Sequence, residues 1–155
     1  MIASLRDGSP VGAWLLKARP DVWDVHGALR SATPITSWPM AVTYRVNLVA
    51  PGQPCGLWIT AGGPGHPPAG LYATGWITSA PVEDPESERR ARWIVGVSLA
   101  ALAHPVLKGE LDHHPAWGEE EARRAPRVST PVAVSPEAWA AALALADVTP
   151  LDRRR

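Results

Sequence analysis

Two runs and the loop between them decide how this chain is read: Cys55-Gly56-Leu57-Trp58-Ile59-Thr60, Gly62-Gly63-Pro64-Gly65-His66-Pro67-Pro68, and Leu71-Tyr72-Ala73-Thr74-Gly75-Trp76-Ile77-Thr78. The first run follows a Pro51-Gly52 turn. A period of two puts Leu57 and Ile59 on one side of it and Trp58 and Thr60 on the other. Aromatic and β-branched residues fill both runs, and glycine and proline fill the connection. The pair therefore predicts two strands joined as a hairpin with a long loop. Gly75, inside the second strand, permits a bulge or a close backbone approach. Tyr72 and Trp76 share a face of that strand in this reading.

Working outward, Ala13-Trp14-Leu15-Leu16-Lys17 is a compact apolar strand that Pro20 stops. Asp24 is placed to cap a short helix over Val25–Arg30. Ser31–Pro39 carries prolines and hydroxyls and reads as a loop that delivers Trp38. Tyr44–Val49 fits either a short helix or a strand. Val82–Arg92 is a charged loop. Trp93–Leu99 is a third strand with Trp93, Val95, Val97 and Leu99 on one face, and Pro105 ends any continuation beyond it. Lys108–His114 fits a helical turn stopped by Pro115, and Val132–Val134 has strand content. Ser135-Pro136-Glu137 is a helix start: a hydroxyl cap, proline in the first turn, then an acidic residue. Trp139, Ala142, Leu143 and Ala146 then line one helical face. The fold class is α+β: a small, mostly antiparallel β-barrel of five or six strands with two or three short peripheral helices. One domain is expected over 13–147, with a loose arm at 1–12 before it and a basic tail at 148–155 after it.

A chain of 155 residues is long enough for one well-formed core. Fifteen basic and fifteen acidic residues cancel, which argues against a tight non-specific DNA binder held by many phosphate contacts. With one cysteine, Cys55, the chain has no intrachain disulfide and no cysteine-based zinc site. No secretory apolar stretch follows Met1, and no apolar run approaches the ~18 residues of a membrane span. A soluble cytoplasmic monomer is expected, with no membrane partner and no cofactor. His104, His113 and His114 with Glu110 or Asp112 are the candidate metal ligands. On a helix, however, the adjacent His113 and His114 point about 100° apart, and no His-Glu-x-x-His spacing occurs; no metal is expected. Nothing near Cys55 supports a nucleophilic pair with a histidine. The Gly62–Gly70 loop lacks the Gly-Lys-Ser/Thr ending of a phosphate loop.

Eight tryptophans and no phenylalanine mark the composition. Indoles anchor cores, and they also stack on nucleobases. Trp14, Trp23, Trp93 and Trp117 are expected to be structural and Trp139 to anchor its helix. Trp38 and Trp58 are the candidate ligand-stacking pair, with Tyr72 and Trp76 in reserve.

An ordered set of segments resembles the EVE domain, a family of the PUA-like superfamily related to YTH and ASCH domains. Trp14-Leu15-Leu16-Lys17-Ala18-Arg19-Pro20 is similar to its opening W-x-L-K-S-x-P strand. Leu57-Trp58-Ile59-Thr60, Gly70–Gly75 and Trp93–Val97 are similar to its next strands. The stretch from Ala122 to Pro131 and the Ser135–Trp139 helix start are similar to its closing elements. The likeness covers Trp14 to Leu145. It implies a PUA-like barrel that binds a flipped, often modified, base of DNA or RNA without catalysis. Carried onto this sequence, the base pocket comprises Trp38, Trp58, Thr60, Lys17 and Ser129, and Arg123, Arg124 and Arg127 meet phosphates. The chain departs from the family at Ala18 (serine), Arg19 (acidic), Gln53 (aspartate) and Thr130 (asparagine), and these positions bear on which base is recognised. Two alternatives stand beside this reading. One is an ASCH-like ribonuclease or other hydrolase using Lys17, Arg45 or a histidine; the other is a protein-interaction module with exposed tryptophans.

Overall fold

A computed structural model describes residues 3–41, 43–85, 93–121 and 130–148. Its strands are β1 (Ala13–Ala18), β2 (Ser37–Met40), β3 (Pro54–Ile59), β4 (Gly70–Glu83), β5 (Trp93–Leu107) and β6 (Val132–Val134). Among the described residues there are three α-helices, α1 (Val25–Arg30), α2 (Lys108–Asp112) and α3 (Pro136–Leu145), and two 3-10 turns, Tyr44–Leu48 and Pro115–Trp117. The strands form one sheet in the order β2-β5-β4-β3-β1-β6.

The sheet has the expected six strands and mostly antiparallel pairing but corrects the expected closed barrel. It is mixed: β1 runs parallel to β3, with Trp14 opposite Cys55 and Leu16 opposite Leu57, while the other neighbours are antiparallel. It is also an open half-barrel. The edge strands β2 and β6 do not pair, although the Ala41 N–H just past β2 donates to the Thr130 carbonyl just before β6 at 3.1 Å. A parallel pair needs a long crossover, and here α1, β2 and the Tyr44–Leu48 turn supply it.

The predicted β3–β4 hairpin is present, with a bulge beyond Leu57. Ser37–Pro39, expected as the end of a loop, belongs to strand β2, which pairs with β5. It lies at the sheet edge, where Pro39 removes no needed donor. β5 runs past Pro105 to Leu107: between the pairs Leu71–Val106 and Ala73–Ala101, the single residue Tyr72 faces Leu102–Pro105. Pro105 therefore sits in a bulge, outside the ladder.

Alternation along the strands builds two cores. Trp14, Leu16, Leu57, Ile59, Tyr72, Ala73, Val95, Val97, Ala133, Trp38 and Met40 make one cluster. All six strands contribute to it, including both edges, so it lies inside the curl. Ala13, Leu15, Trp58, Leu71, Val106, Val132 and Val134 face the other way and pack against α3 and Trp117. α3 starts as its sequence predicts, the Ser135 hydroxyl accepting the Ala138 N–H at 3.2 Å, and it buries Ala138, Trp139, Ala142 and Leu143. Residues 3–12 fold back on themselves and onto the sheet. The Val11 N–H donates to Ala3 O at 2.8 Å, and Ala3 and Leu5 pack on the inner core. Gln53 holds the 3-10 turn to that core: its Oε1 accepts from Trp14 Nε1 at 2.8 Å and Ala50 N at 2.7 Å, and its Nε2 donates to Leu48 O at 2.9 Å. No described helix is long and apolar enough to cross a membrane.

Candidate functional site

The site is built around the start of α1. The Asp24 carboxylate accepts the Gly27 N–H at 3.1 Å and fixes where the helix begins. That start turns Val25 and His26 inward. Trp23, just before the cap, stays 42% exposed and leans on Trp38 of β2, with ring centroids 5.7 Å apart and planes at 55°. Trp38 itself is 6% exposed and belongs to the inner core. Three residues on from Trp23, His26 is 9% exposed and meets the Tyr72 ring edge-on, 4.8 Å between centroids and 81° between planes. The Tyr72 hydroxyl donates to Pro68 O at 2.6 Å, which ties the Gly62–Pro68 loop to the same end of the half-barrel.

One polar atom in this group is unmatched. His26 Nε2 is buried and has no hydrogen-bond partner among the described residues. Burial first, then the nearby Arg30 guanidinium, hold the His26 pKa below its ordinary 6.5. Burial also raises the Tyr72 pKa above its ordinary value. At neutral pH the group therefore presents two indoles, a phenol ring and an uncharged imidazole. It can stack a flat ring and exchange a hydrogen bond with that ring's edge.

The structure does not bring Trp38 and Trp58 together. They belong to cores on opposite faces of the sheet, because Trp58 alternates with the inward Leu57 and Ile59. Trp58 lies against Trp117, centroids 6.4 Å apart and planes at 19°, and the two are 6% and 2% exposed. Lys17 pairs in register with Trp58 and so faces outward with it; burial lowers its pKa. The Thr60 hydroxyl donates to Ala18 O at 3.2 Å, and the Thr130 hydroxyl accepts the Lys17 N–H at 3.0 Å. Both hydroxyls thus secure the end of β1. Ser129, Arg123, Arg124 and Arg127 lie outside the described residues. Tyr72 and Trp76 do not share a face: the bulge sets Tyr72 with Ala73 and Ile77 in the inner core, and alternation puts Trp76 opposite. Trp23, expected as structural, is the most exposed indole in the site. His26 was not among the residues that the sequence singled out.

Several of the groups weighed for catalysis hold the fold together. Arg45 pairs with Glu121 and donates to Pro131 O at 3.2 Å, and the same Glu121 accepts the Ala133 N–H at 3.1 Å. His113 Nδ1 lies 2.7 Å from Gly109 O, and His114 Nδ1 accepts the Ala116 N–H at 3.1 Å. Among the described residues no group of three or more His, Cys, Asp or Glu is placed to hold a metal ion. Cys55 is fully buried, and burial pushes its pKa up to about 12, so its thiol is not an activated nucleophile.

No family model and no curated protein matches this chain. Solved structures do. Rpa0253 from Rhodopseudomonas palustris is similar with a TM-score of 0.66 and 17% identity, over 91% of this chain and 97% of that one. A hypothetical protein from Leishmania major gives 0.66 and 15%, over 88% and 95%. PSPTO5229 from Pseudomonas syringae gives 0.63 and 18%, over 86% and 99%. At these identities the likeness is one of fold: a curled, mixed-strand half-barrel.

Proposed function

We propose that this chain is a non-catalytic nucleic-acid-binding module of the EVE type, which takes a flipped, modified base at the start of α1. The observation that carries the reading is the Trp23–Trp38 pair, an exposed indole resting on a buried one. An indole in that position loses contact with water when a flat ring covers it, and stacking of a base contributes roughly 1–3 kcal/mol whatever the base. With planes at 55°, the two indoles form a corner rather than a parallel slot. A base stacked on Trp23 would meet Trp38 at an angle and lie toward His26 and Tyr72. The formal charge of zero fits a module whose affinity comes from one base rather than from the phosphate backbone. Arg30, exposed at the end of α1, adds positive charge beside the site. The resemblance of Trp14–Pro20 and the later segments to EVE domains points the same way.

The test is a titration of short single- and double-stranded DNA and RNA, each carrying one modified base, followed by tryptophan fluorescence and thermal melting. At least one oligonucleotide is expected to quench fluorescence and raise the melting temperature, and Trp23→Ala is expected to abolish both effects. No response across such a panel would refute the reading.

A further inference from the structure

We propose that His26 selects the ligand of this site, by a hydrogen bond between its Nε2 and the polar edge of a base stacked on Trp23. The inference rests on the base-binding reading above and goes beyond it by naming the group that tells one base from another.

Stacking alone cannot choose, because every base has a π-face. Choice requires a polar atom that is desolvated and fixed before the ligand arrives. His26 Nε2 meets both conditions. It is the described buried side-chain nitrogen or oxygen left without a partner, whereas the hydroxyl of the Tyr72 ring that it meets donates to Pro68 O, and elsewhere in the two cores the indole N–H groups of Trp14 and Trp117 donate to Gln53 and to Ala138 O. Native folds rarely leave such an atom unmatched without a use for it. The ring is held in place by the Asp24-capped helix on one side and by Tyr72 on the other.

The same surroundings define the class of ligand. Arg30 of α1, the Asp24 cap and His66 on the adjoining loop act electrostatically on the imidazole, and the Tyr72 ring on β4 meets it edge-on. Burial keeps that imidazole uncharged at neutral pH. An uncharged nitrogen in a dry setting pairs best with a neutral amide, imine or amine edge, and poorly with a carboxylate or phosphate. The ligand edge is therefore that of a neutral heterocycle, and a phosphate does not enter this corner.

The experiment measures binding of the common ribo- and deoxyribonucleosides and their ring-methylated forms to wild type, His26→Phe and His26→Gln, by tryptophan quenching. Wild type is expected to prefer one base over the others by about ten-fold, the size of one buried hydrogen bond. His26→Phe keeps an aromatic ring against Tyr72; it should still bind bases but lose the preference. His26→Gln, whose amide reaches the position of Nε2, should restore part of it. A second measurement needs no substitution at His26: the wild-type preference should change on acidification, when protonation leaves Nε2 able only to donate, with His66→Ala as the control for the neighbouring imidazole. If His26→Phe retains the wild-type preference, or if the preference is constant with pH, His26 is not the selector, although the site still binds bases. If wild type binds no nucleoside in the panel, both the base-binding reading and this inference fall.

Discussion

On the outer face of the sheet Trp58, Trp117 and Trp139 fill the space between the strands and α3, and the Trp117 Nε1–H donates to Ala138 O at 2.9 Å. On the inner face, at α1, Trp38 is equally buried, but Trp23 against it is partly open to water, and His26, three residues on from Trp23, keeps an unmatched nitrogen. The two faces draw on the same residue type for different ends. A matched, enclosed indole is a packing element. An exposed indole beside an unmatched buried polar atom costs the fold stability, and a ligand can recover that cost. The number of tryptophans says little about binding; what matters is which of them leave a surface and a hydrogen bond unfilled.

The sharpest test of the contrast is a pair of substitutions. Trp117→Ala should destabilise the fold by about 3–5 kcal/mol in chemical denaturation, since it opens a cavity in the outer core and removes the indole donor to Ala138 O. Trp23→Ala should cost less than about 1 kcal/mol in the same measurement, yet abolish ligand binding. Equal costs would erase the distinction between the faces. Gly56→Ala probes the tightness of the outer packing. A Cβ there would lie 2.6 Å from Leu71 Cδ1 and 2.9 Å from Trp139 Cη2, so a loss of about 1–3 kcal/mol is expected from overpacking; an unchanged midpoint would mean that Trp139 is free to move. The smallest effect belongs to His26. Its folded pKa is depressed, so as pH falls below its ordinary 6.5 the unfolded chain takes up the proton first. The stability is held above that value and lost in acid. Wild type should therefore lose stability relative to His26→Phe between about pH 7 and pH 5, seen as diverging melting temperatures; parallel profiles would mean that the imidazole is not desolvated.

Much of the scaffold is legible in the sequence because local rules govern it. The Asp24 and Ser135 caps, the apolar face of α3 and the period-two runs of β3 and β4 each follow from residues a few positions apart. Pairing of distant segments is not written locally. The parallel β1–β3 ladder and the open edge between β2 and β6 depend on where the crossover lays the chain, and alternation marks strands without naming their partners. Pro39 and Pro105 mislead for one reason: proline breaks a central strand but is tolerated at an edge or in a bulge, and the edge is known only once the sheet is assembled. At the site, Trp38 stands out because it sits among prolines. The alternation of Leu57, Trp58 and Ile59 already gives Trp58 its own side, but not that this side is the one away from Trp38. His26 carries a weaker signal still. The Asp24 cap fixes the helix phase and sets His26 next to the inward Val25, but a histidine near a helix start has no motif, and its missing partner is a property of the packed fold.

The central claim is that the α1 end of the inner face, and not the α3 face, receives the ligand. Indole N–H resonances in a proton–nitrogen NMR spectrum report on each face separately, once assigned by single substitutions. During titration with a binding nucleoside or oligonucleotide, the Trp23 and Trp38 signals should shift with one common dissociation constant while those of Trp58, Trp117 and Trp139 stay in place. Shifts at Trp58 and Trp117 with Trp23 and Trp38 unmoved would contradict the account.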